Sequence, residues 1–224
     1  MSRRRLIDRF FVRGTVDEVE PVGGGMLAIG ISGVPGLDWT PGQQIRVQVG
    51  ETGFMGALRT YSVWDYDGER IQLRVYLHGD GPGAAWAGRV RPGQEVLFLA
   101  PQGNFVVRPA DYHVFVGEDT ASVAIGAMLR RLKGPFHGVI ETDSAALDLP
   151  LTPVFRNGAP AAESTLLVDA VAALELPEKP GIAYVAGEAR TCQLVRRHLV
   201  ADRGWPRRSV VVKPFWTPGR RGMD

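Results

Sequence analysis

Apolar and polar residues alternate along short segments in the first half of the chain, most clearly at Ile71, Leu73, Val75 and Leu77. A period of two is typical of a strand with one face in a core. The segments with this period or a short apolar run are 11–19, 27–31, 45–49, 59–66, 71–77 and 96–98. Glycine or proline turns separate them, and Asp67-Gly68 predicts a hairpin. Six such strands predict a six-stranded antiparallel barrel over residues 1–107.

The second half of the chain changes period, because apolar residues recur at helical spacing from 121 to 132. Asp119 or Thr120 is expected to cap that helix. The predicted strands are 112–116, 136–140, 153–155, 182–186 and 210–215, and the other predicted helices are 165–174 and 188–203. Alternating strands and helices predict a doubly wound parallel-sheet nucleotide-binding domain over residues 108–224.

Composition narrows the class of protein. Of the 224 residues, 45% are hydrophobic and 22% charged, so each half can bury a core of its own. No stretch approaches the roughly 20 apolar residues of a membrane span. No apolar signal core follows the basic start of the chain, so we expect a cytoplasmic protein with no membrane span. The net charge of +2 gives no reason to expect nucleic acid as a partner.

The cysteine count limits the redox chemistry. Cys192 is the single cysteine, which excludes an intrachain disulfide and a four-cysteine iron–sulfur or zinc site within this chain. If the protein moves electrons, an organic cofactor must carry them. We therefore expect no metal-ligating residues.

A cation, an aromatic ring and a hydroxyl follow one another at Arg59, Thr60, Tyr61 and Ser62. On a strand, Arg59 and Tyr61 share a face and Ser62 points the other way. A guanidinium suits the pyrophosphate of a flavin dinucleotide, and a tyrosine ring suits its isoalloxazine. The alternative interpretation is a surface strand with an exposed arginine and a half-buried tyrosine.

Small residues fill the segment after the next strand. Gly83, Ala84 and Ala85 precede Trp86, and a helix starting there would direct its first N–H groups at an anion. The alternative is a flexible barrel loop. His78, at the end of the strand, is a candidate flavin contact or a hydrogen-bonded structural residue.

Two turns follow predicted strands of the second half and open helices. One carries Gly117, Asp119 and Thr120, and the other carries Gly187 and Glu188. Both should lie at the carboxyl edge of a parallel sheet, where ligands bind. Neither is a G-x-G-x-x-G sequence, and two ordinary turns are the alternative.

Trp216 directly follows the last predicted strand. This residue is either an aromatic lid beside a flavin or part of the packing of the terminal strand.

Five segments in order carry a family resemblance: RTYSVWDYD, VYLHGDGPGAAWA, VGEDTASVAI, YVAGEARTCQLVRRHLVADRGWP and KPFW. The chain resembles the siderophore-interacting proteins, the flavin-dependent ferric-siderophore reductases within the ferredoxin–NADP reductase-like superfamily. The resemblance implies an N-terminal barrel that binds FAD and a C-terminal domain that binds NADH or NADPH.

The resemblance also implies roles for particular residues. Arg59 and Tyr61 would hold the flavin, with Ser62 at the hydroxyl position of the family's motif. Contacts to the flavin ring and pyrophosphate would come from Val75, Leu77, His78, Gly83, Ala84, Ala85 and Trp86. Nicotinamide-side contacts would come from Gly117, Asp119, Thr120, Gly187 and Glu188. This chain has Ala84 where the family usually has serine, and Pro214-Phe215-Trp216 where it often has Gly-Tyr-Trp.

The activity implied is an FAD-dependent reduction of a ferric siderophore by NAD(P)H, with release of iron(II). The cofactor carries this chemistry, so no catalytic acid or base is expected. One alternative is a flavin reductase that serves another acceptor or a partner oxygenase. Another is a non-enzymatic binding module that has lost its flavin. Two features favour this alternative: Ala84 in place of the usual serine, and a segment of only eight residues after Trp216.

Overall fold

The computed structural model describes residues 10–50, 57–77, 81–144 and 147–220. The chain divides into two compact units, Met1–Val106 and Val107–Asp224.

The first unit is a closed barrel of six strands. Its strands are β1 (Val12–Gly23), β2 (Met26–Ser32), β3 (Gln44–Gln48), β4 (Leu58–Tyr66), β5 (Ile71–Tyr76) and β6 (Glu95–Gln102). The order around the barrel is β1-β2-β5-β4-β3-β6, and every neighbouring pair is antiparallel. One short helix, α1 (Pro82–Ala87), lies between β5 and β6. The predicted barrel is confirmed.

Alternation along the strands gives this barrel an apolar interior. Ile45 and Val47 on β3 point inward with Ile71 and Leu73 on β5, and all four are completely buried. Fully burying an aliphatic side chain contributes about 1.5–3 kcal/mol, so the interior positions dominate the stability of this unit. The predicted hairpin joins β4 to β5, where Asp67 Oδ1 accepts from two backbone N–H groups at 3.0 and 2.8 Å.

The second unit is a five-stranded parallel sheet with helices. Its strands are β7 (His113–Glu118), β8 (Phe136–Thr142), β9 (Thr152–Phe155), β10 (Ile182–Glu188) and β11 (Val210–Trp216). Its α-helices are α2 (Ser122–Arg131), α3 (Thr165–Ala172) and α4 (Ala189–Arg197). The strand order is β11-β10-β7-β8-β9. The chain therefore builds outward from β7 on one side and returns to β10 on the other, which makes a switch point between these strands.

Helices cover both faces of the sheet, as predicted. Val116 packs with Val171 of α3 and Val195 of α4 on one face. Gly117 points to the opposite face, and a Cβ built there would meet Ile125 of α2 at 2.9 Å. Successive residues of a strand face opposite sides, so α2 lies across the sheet from the other two helices.

Helix ends differ from the prediction, most clearly at the start of α2 and the end of α4. The cap expected at Asp119 or Thr120 is wrong, because α2 begins after Ala121 and has no side-chain cap. The predicted helix 188–203 is shorter as an α-helix: α4 ends at Arg197 and a π-helical turn covers His198–Asp202. In the part of the chain described, no helix has the length and apolar character that crossing a membrane requires.

Candidate functional site

Two candidate residues of the barrel meet the start of α1. Arg59 pairs with Val47 and Tyr61 pairs with Ile45 across β3 and β4, so both side chains point to the same side of the sheet. The phenol of Tyr61 donates to the carbonyl of Gly83 over 3.0 Å. The two predicted flavin segments therefore lie in direct contact.

Gly83 makes this contact close. A Cβ at this position would lie 3.0 Å from Tyr61 Oη and 3.5 Å from Arg59 Cγ. Trp86, one turn further along α1, packs against the Tyr61 ring with centroids 5.3 Å apart and planes inclined by 41°. The missing side chain lets α1 rest on β4, and the result is a pair of aromatic rings beside a guanidinium.

Arg59 retains donor capacity. Its Nη1 donates to the Leu58 carbonyl over 2.6 Å, and no other hydrogen bond of its side chain is found among the described residues. A guanidinium has five N–H donors, so four remain for an anion. Gly81, the N-cap residue of α1, has no side chain with which to cap the helix, and Ala84 offers a backbone N–H where the family's serine would add a hydroxyl.

This donor set fits a flavin dinucleotide, because it combines a cation, uncapped amides and aromatic surface. A phenol is already protonated at neutral pH, and burial raises the pKa of Tyr61 further, so the phenol keeps donating. A six-residue helix has a weak dipole, so the attraction for a diphosphate comes mainly from Arg59.

Other predicted flavin residues have different surroundings. Val75 is buried in the barrel core, so only its backbone would face a ligand. Leu77, Thr60 and Ala85 are exposed, and Ser62 is half-buried. His78 lies outside the described residues.

In the second unit, the predicted turns meet at the switch point. Glu118 ends β7 and is 2% exposed. Its carboxylate accepts from Thr120 N at 2.8 Å, from the Thr120 hydroxyl, and from Trp216 Nε1 at 2.9 Å. Glu118 lies inside the predicted turn, between Gly117 and Asp119, but the sequence assigns its side chain no contact of its own.

The second predicted turn uses its carboxylate to cap its own helix. Glu188 accepts from Arg190 N at 2.9 Å and from Thr191 N at 2.8 Å. Burial is the largest single influence on Glu188 and by itself would raise its pKa. The backbone hydrogen bonds from Arg190, Thr191 and Glu163 together outweigh burial, so the pKa of Glu188 is lowered. The first N–H groups of α4 are thus already bonded inside the domain.

A buried ion cluster lies beside Glu118, and the sequence did not indicate it. Arg156 follows β9 and donates from Nη2 to Asp119 at 2.5 Å and to Asp143 at 2.7 Å. Its Nη1 lies 3.6 Å from Glu141 Oε1. Thr142 donates to the second oxygen of Asp119 at 2.5 Å. Arg156 therefore joins the turns that follow β7, β8 and β9.

Burial dominates the electrostatics of two glutamates at this edge. It raises the pKa of Glu118 against three hydrogen bonds that favour the ionised form. It also raises the pKa of Glu141, against the opposing effects of the Ser164 hydroxyl and Arg156.

Two family profiles match this chain. A profile described as the siderophore-interacting FAD-binding domain matches residues 36–105, and a profile described as the siderophore-interacting protein matches residues 110–219. The chain belongs to the siderophore-interacting protein family. The first match of this family contains Arg59, Tyr61 and Gly83, and the second contains Glu118 and Trp216.

Relatives of this family member include the ferric vibriobactin reductase ViuB of Vibrio cholerae. The two are 27% identical over 176 residues, which cover 72% of this chain and 65% of ViuB. A siderophore utilization protein from T. fusca has a structure with a TM-score of 0.83, at 25% identity and with 96% and 95% of the two chains covered.

The fold also matches more distant reductases. Phthalate dioxygenase reductase, which transfers electrons from pyridine nucleotides to a 2Fe–2S centre, has a TM-score of 0.74 at 16% identity, with 98% of this chain and 72% of that chain covered. The predicted fold, a six-stranded barrel followed by a parallel-sheet α/β domain, is therefore confirmed and is shared with this reductase.

Proposed function

We propose that this protein is an FAD-dependent reductase that uses NADH or NADPH to reduce iron(III) held in a siderophore. The observation that carries the proposal is the contact of Arg59 and Tyr61 with Gly83 inside the matched FAD-binding domain. When bound, FAD would accept a hydride from NAD(P)H and deliver electrons singly to the ferric ion. Iron(II) binds hard oxygen ligands less tightly, so reduction would release it from the siderophore.

The barrel residues would hold the flavin. The Arg59 guanidinium would neutralise the diphosphate with paired N–H donors. Tyr61 and Trp86 would supply the aromatic surface, and the phenol would stay bonded to Gly83 so that its ring keeps one orientation. The hydroxyl of Ser62 and the backbone near Val75 would contact the flavin ring, and the backbone N–H of Ala84 would replace a missing hydroxyl.

The α/β domain would bind the pyridine nucleotide at the carboxyl edge of its sheet. Open parallel sheets bind ligands there, at the switch point between β7 and β10. The turn at Gly117, Asp119 and Thr120 would approach the nucleotide from one side and Gly187 with Glu188 from the other. Trp216 ends β11 at the same edge. A cytoplasmic location stays a prediction that accompanies this function.

The visible spectrum of purified protein loaded with FAD tests the reaction. Under anaerobic conditions, NADH or NADPH should bleach the flavin absorbance, and a ferric siderophore should then restore it with formation of iron(II). Failure of both nucleotides to bleach the flavin would refute the hydride step. Bleaching without reoxidation by ferric siderophores would point to another acceptor.

Arg59→Ala tests the flavin site separately from turnover. A hydrogen bond to a charged group is worth about 1.5–3 kcal/mol, so the dissociation constant for FAD should rise roughly 10- to 100-fold. Arg13→Ala is the matched control, because Arg13 is a barrel arginine that pairs with Glu95 on the surface. Equal FAD affinity in the Arg59 variant and the control would show that Arg59 does not bind the flavin.

A further inference from the structure

Glu118 reaches across a neighbouring strand. The strand order at the switch point is β11-β10-β7, so β10 separates Glu118 on β7 from Trp216 on β11. The indole Nε1 of Trp216 nevertheless donates to Glu118 Oε1 over 2.9 Å. A side chain that bonds to the second strand along must pass over the strand between them.

Gly187 on β10 provides the passage. A Cβ at this position would lie 2.7 Å from Glu118 Oε1 and 2.9 Å from its Cγ. Gly187 also has a φ of +127°, a backbone conformation that L side chains rarely adopt. Position 187, in the predicted nicotinamide-side turn, therefore requires glycine, because any side chain there would collide with the Glu118 side chain.

The carboxylate of Glu118 is held at both oxygens. Thr120 donates its backbone N–H to Oε2 over 2.8 Å and its hydroxyl to Oε1, and Trp216 donates to Oε1 as well. An indole has a single N–H donor, so this hydrogen bond engages it and holds that edge of the half-buried Trp216 ring against Glu118. One buried side chain thus couples the turn after β7 to the end of β11.

We propose that Glu118 is a positioning residue of the pyridine-nucleotide site, which fixes the indole of Trp216 in the orientation that receives the nucleotide. The proposal rests on the proposed function for the role of the ring, and on the Glu118, Gly187 and Trp216 geometry for the coupling. Glu118 acts through Trp216 and does not itself touch the reacting atoms. Once Trp216 is replaced, a change at Glu118 should therefore have no further effect on nucleotide binding.

The first experiment reads the hydrogen bond directly. In ¹⁵N-labelled protein at neutral pH, Trp216→Phe assigns the indole N–H signal of Trp216. E118Q, which cannot accept at both ends of its side chain, and E118D, which is one methylene too short, should each move that signal upfield. E141Q is the matched control, since Glu141 is another buried glutamate of this edge, and it should leave the signal in place. An unmoved signal in both Glu118 variants would overturn the proposal.

The second experiment is a double-mutant cycle on binding of NAD⁺ and NADP⁺, measured by isothermal titration of FAD-loaded protein. E118Q and W216F should each weaken binding of the preferred nucleotide about tenfold, and the double variant should also lose about tenfold. A roughly hundredfold loss would show independent roles and overturn the coupling. FAD content should match the parent throughout.

The two experiments separate the possible failures. If the parent binds neither nucleotide, the proposed function fails, and with it the role given to Trp216, even where the indole signal moves as expected. If the parent binds nucleotide and the variants bind it equally well, the proposed function stands and the positioning role of Glu118 is wrong.

Discussion

Replacing Arg156 by methionine should destabilise the α/β unit far more than removal of an ordinary ion pair. Arg156 donates to Asp119 at 2.5 Å and to Asp143 at 2.7 Å, and its side chain is 5% exposed. Asp143 is about half exposed and would be hydrated once the guanidinium is gone. Asp119 and Glu141, 5% and 0% exposed, would remain as buried carboxylates without a cation.

Breaking a buried ion pair from one side costs about 3–5 kcal/mol, because the remaining charge stays desolvated. Methionine fills a similar volume, so the loss of packing adds little. A slope of about 1–3 kcal/mol per molar urea converts this cost into a fall of roughly 2 M in the unfolding midpoint of the unit. R156M combined with D119N should recover part of the loss, since the variant amide carries no charge.

Pulsed hydrogen exchange in increasing urea measures this effect on β7 and β8 without interference from the barrel. Lys179→Met is the control, because the Lys179–Asp111 pair has a similar distance of 2.8 Å but both side chains are more than 70% exposed. The control should unfold at the midpoint of the parent. If R156M also unfolds within about 0.3 M of the parent, the argument from buried charge is wrong.

Two further predictions concern the same sheet edge. Gly187→Ala should shift the Trp216 indole N–H signal and weaken pyridine-nucleotide binding while FAD content stays unchanged, because the new Cβ would lie 2.7 Å from Glu118 Oε1 at a φ of +127°; an unchanged signal would contradict this. Burial raises the pKa of Glu141 above its ordinary 4.5, so its contribution to stability is present below that pH and is lost as pH rises through the folded-state pKa. E141Q mimics the protonated form, so its free energy of unfolding relative to the parent should rise between pH 4 and pH 8 in urea titrations, and a flat difference would refute the shift.

Local patterns in the sequence were enough to predict the architecture and to select a candidate flavin segment. Alternation at positions such as Ile71 and Leu73 depends only on which face of a strand is buried, so the six-stranded barrel could be predicted without knowing the strand order. The helical period after Asp119 predicted the change to an α/β domain in the same way. Arg59, Tyr61 and Gly83 could be proposed as candidates because each lies in a short segment of recognisable chemistry, and their role with a flavin stays a prediction.

What the sequence could not predict is which distant side chains share a buried charge or a hydrogen bond. Asp119 and Arg156 are 37 positions apart and Glu118 and Trp216 are 98 apart, and no periodicity connects them. Their contacts exist because the strand order β11-β10-β7-β8-β9 brings the carboxyl ends of the strands to one edge. There, removal from water makes each carboxylate require a partner, and the absent side chain of Gly187 decides that Glu118 can reach Trp216.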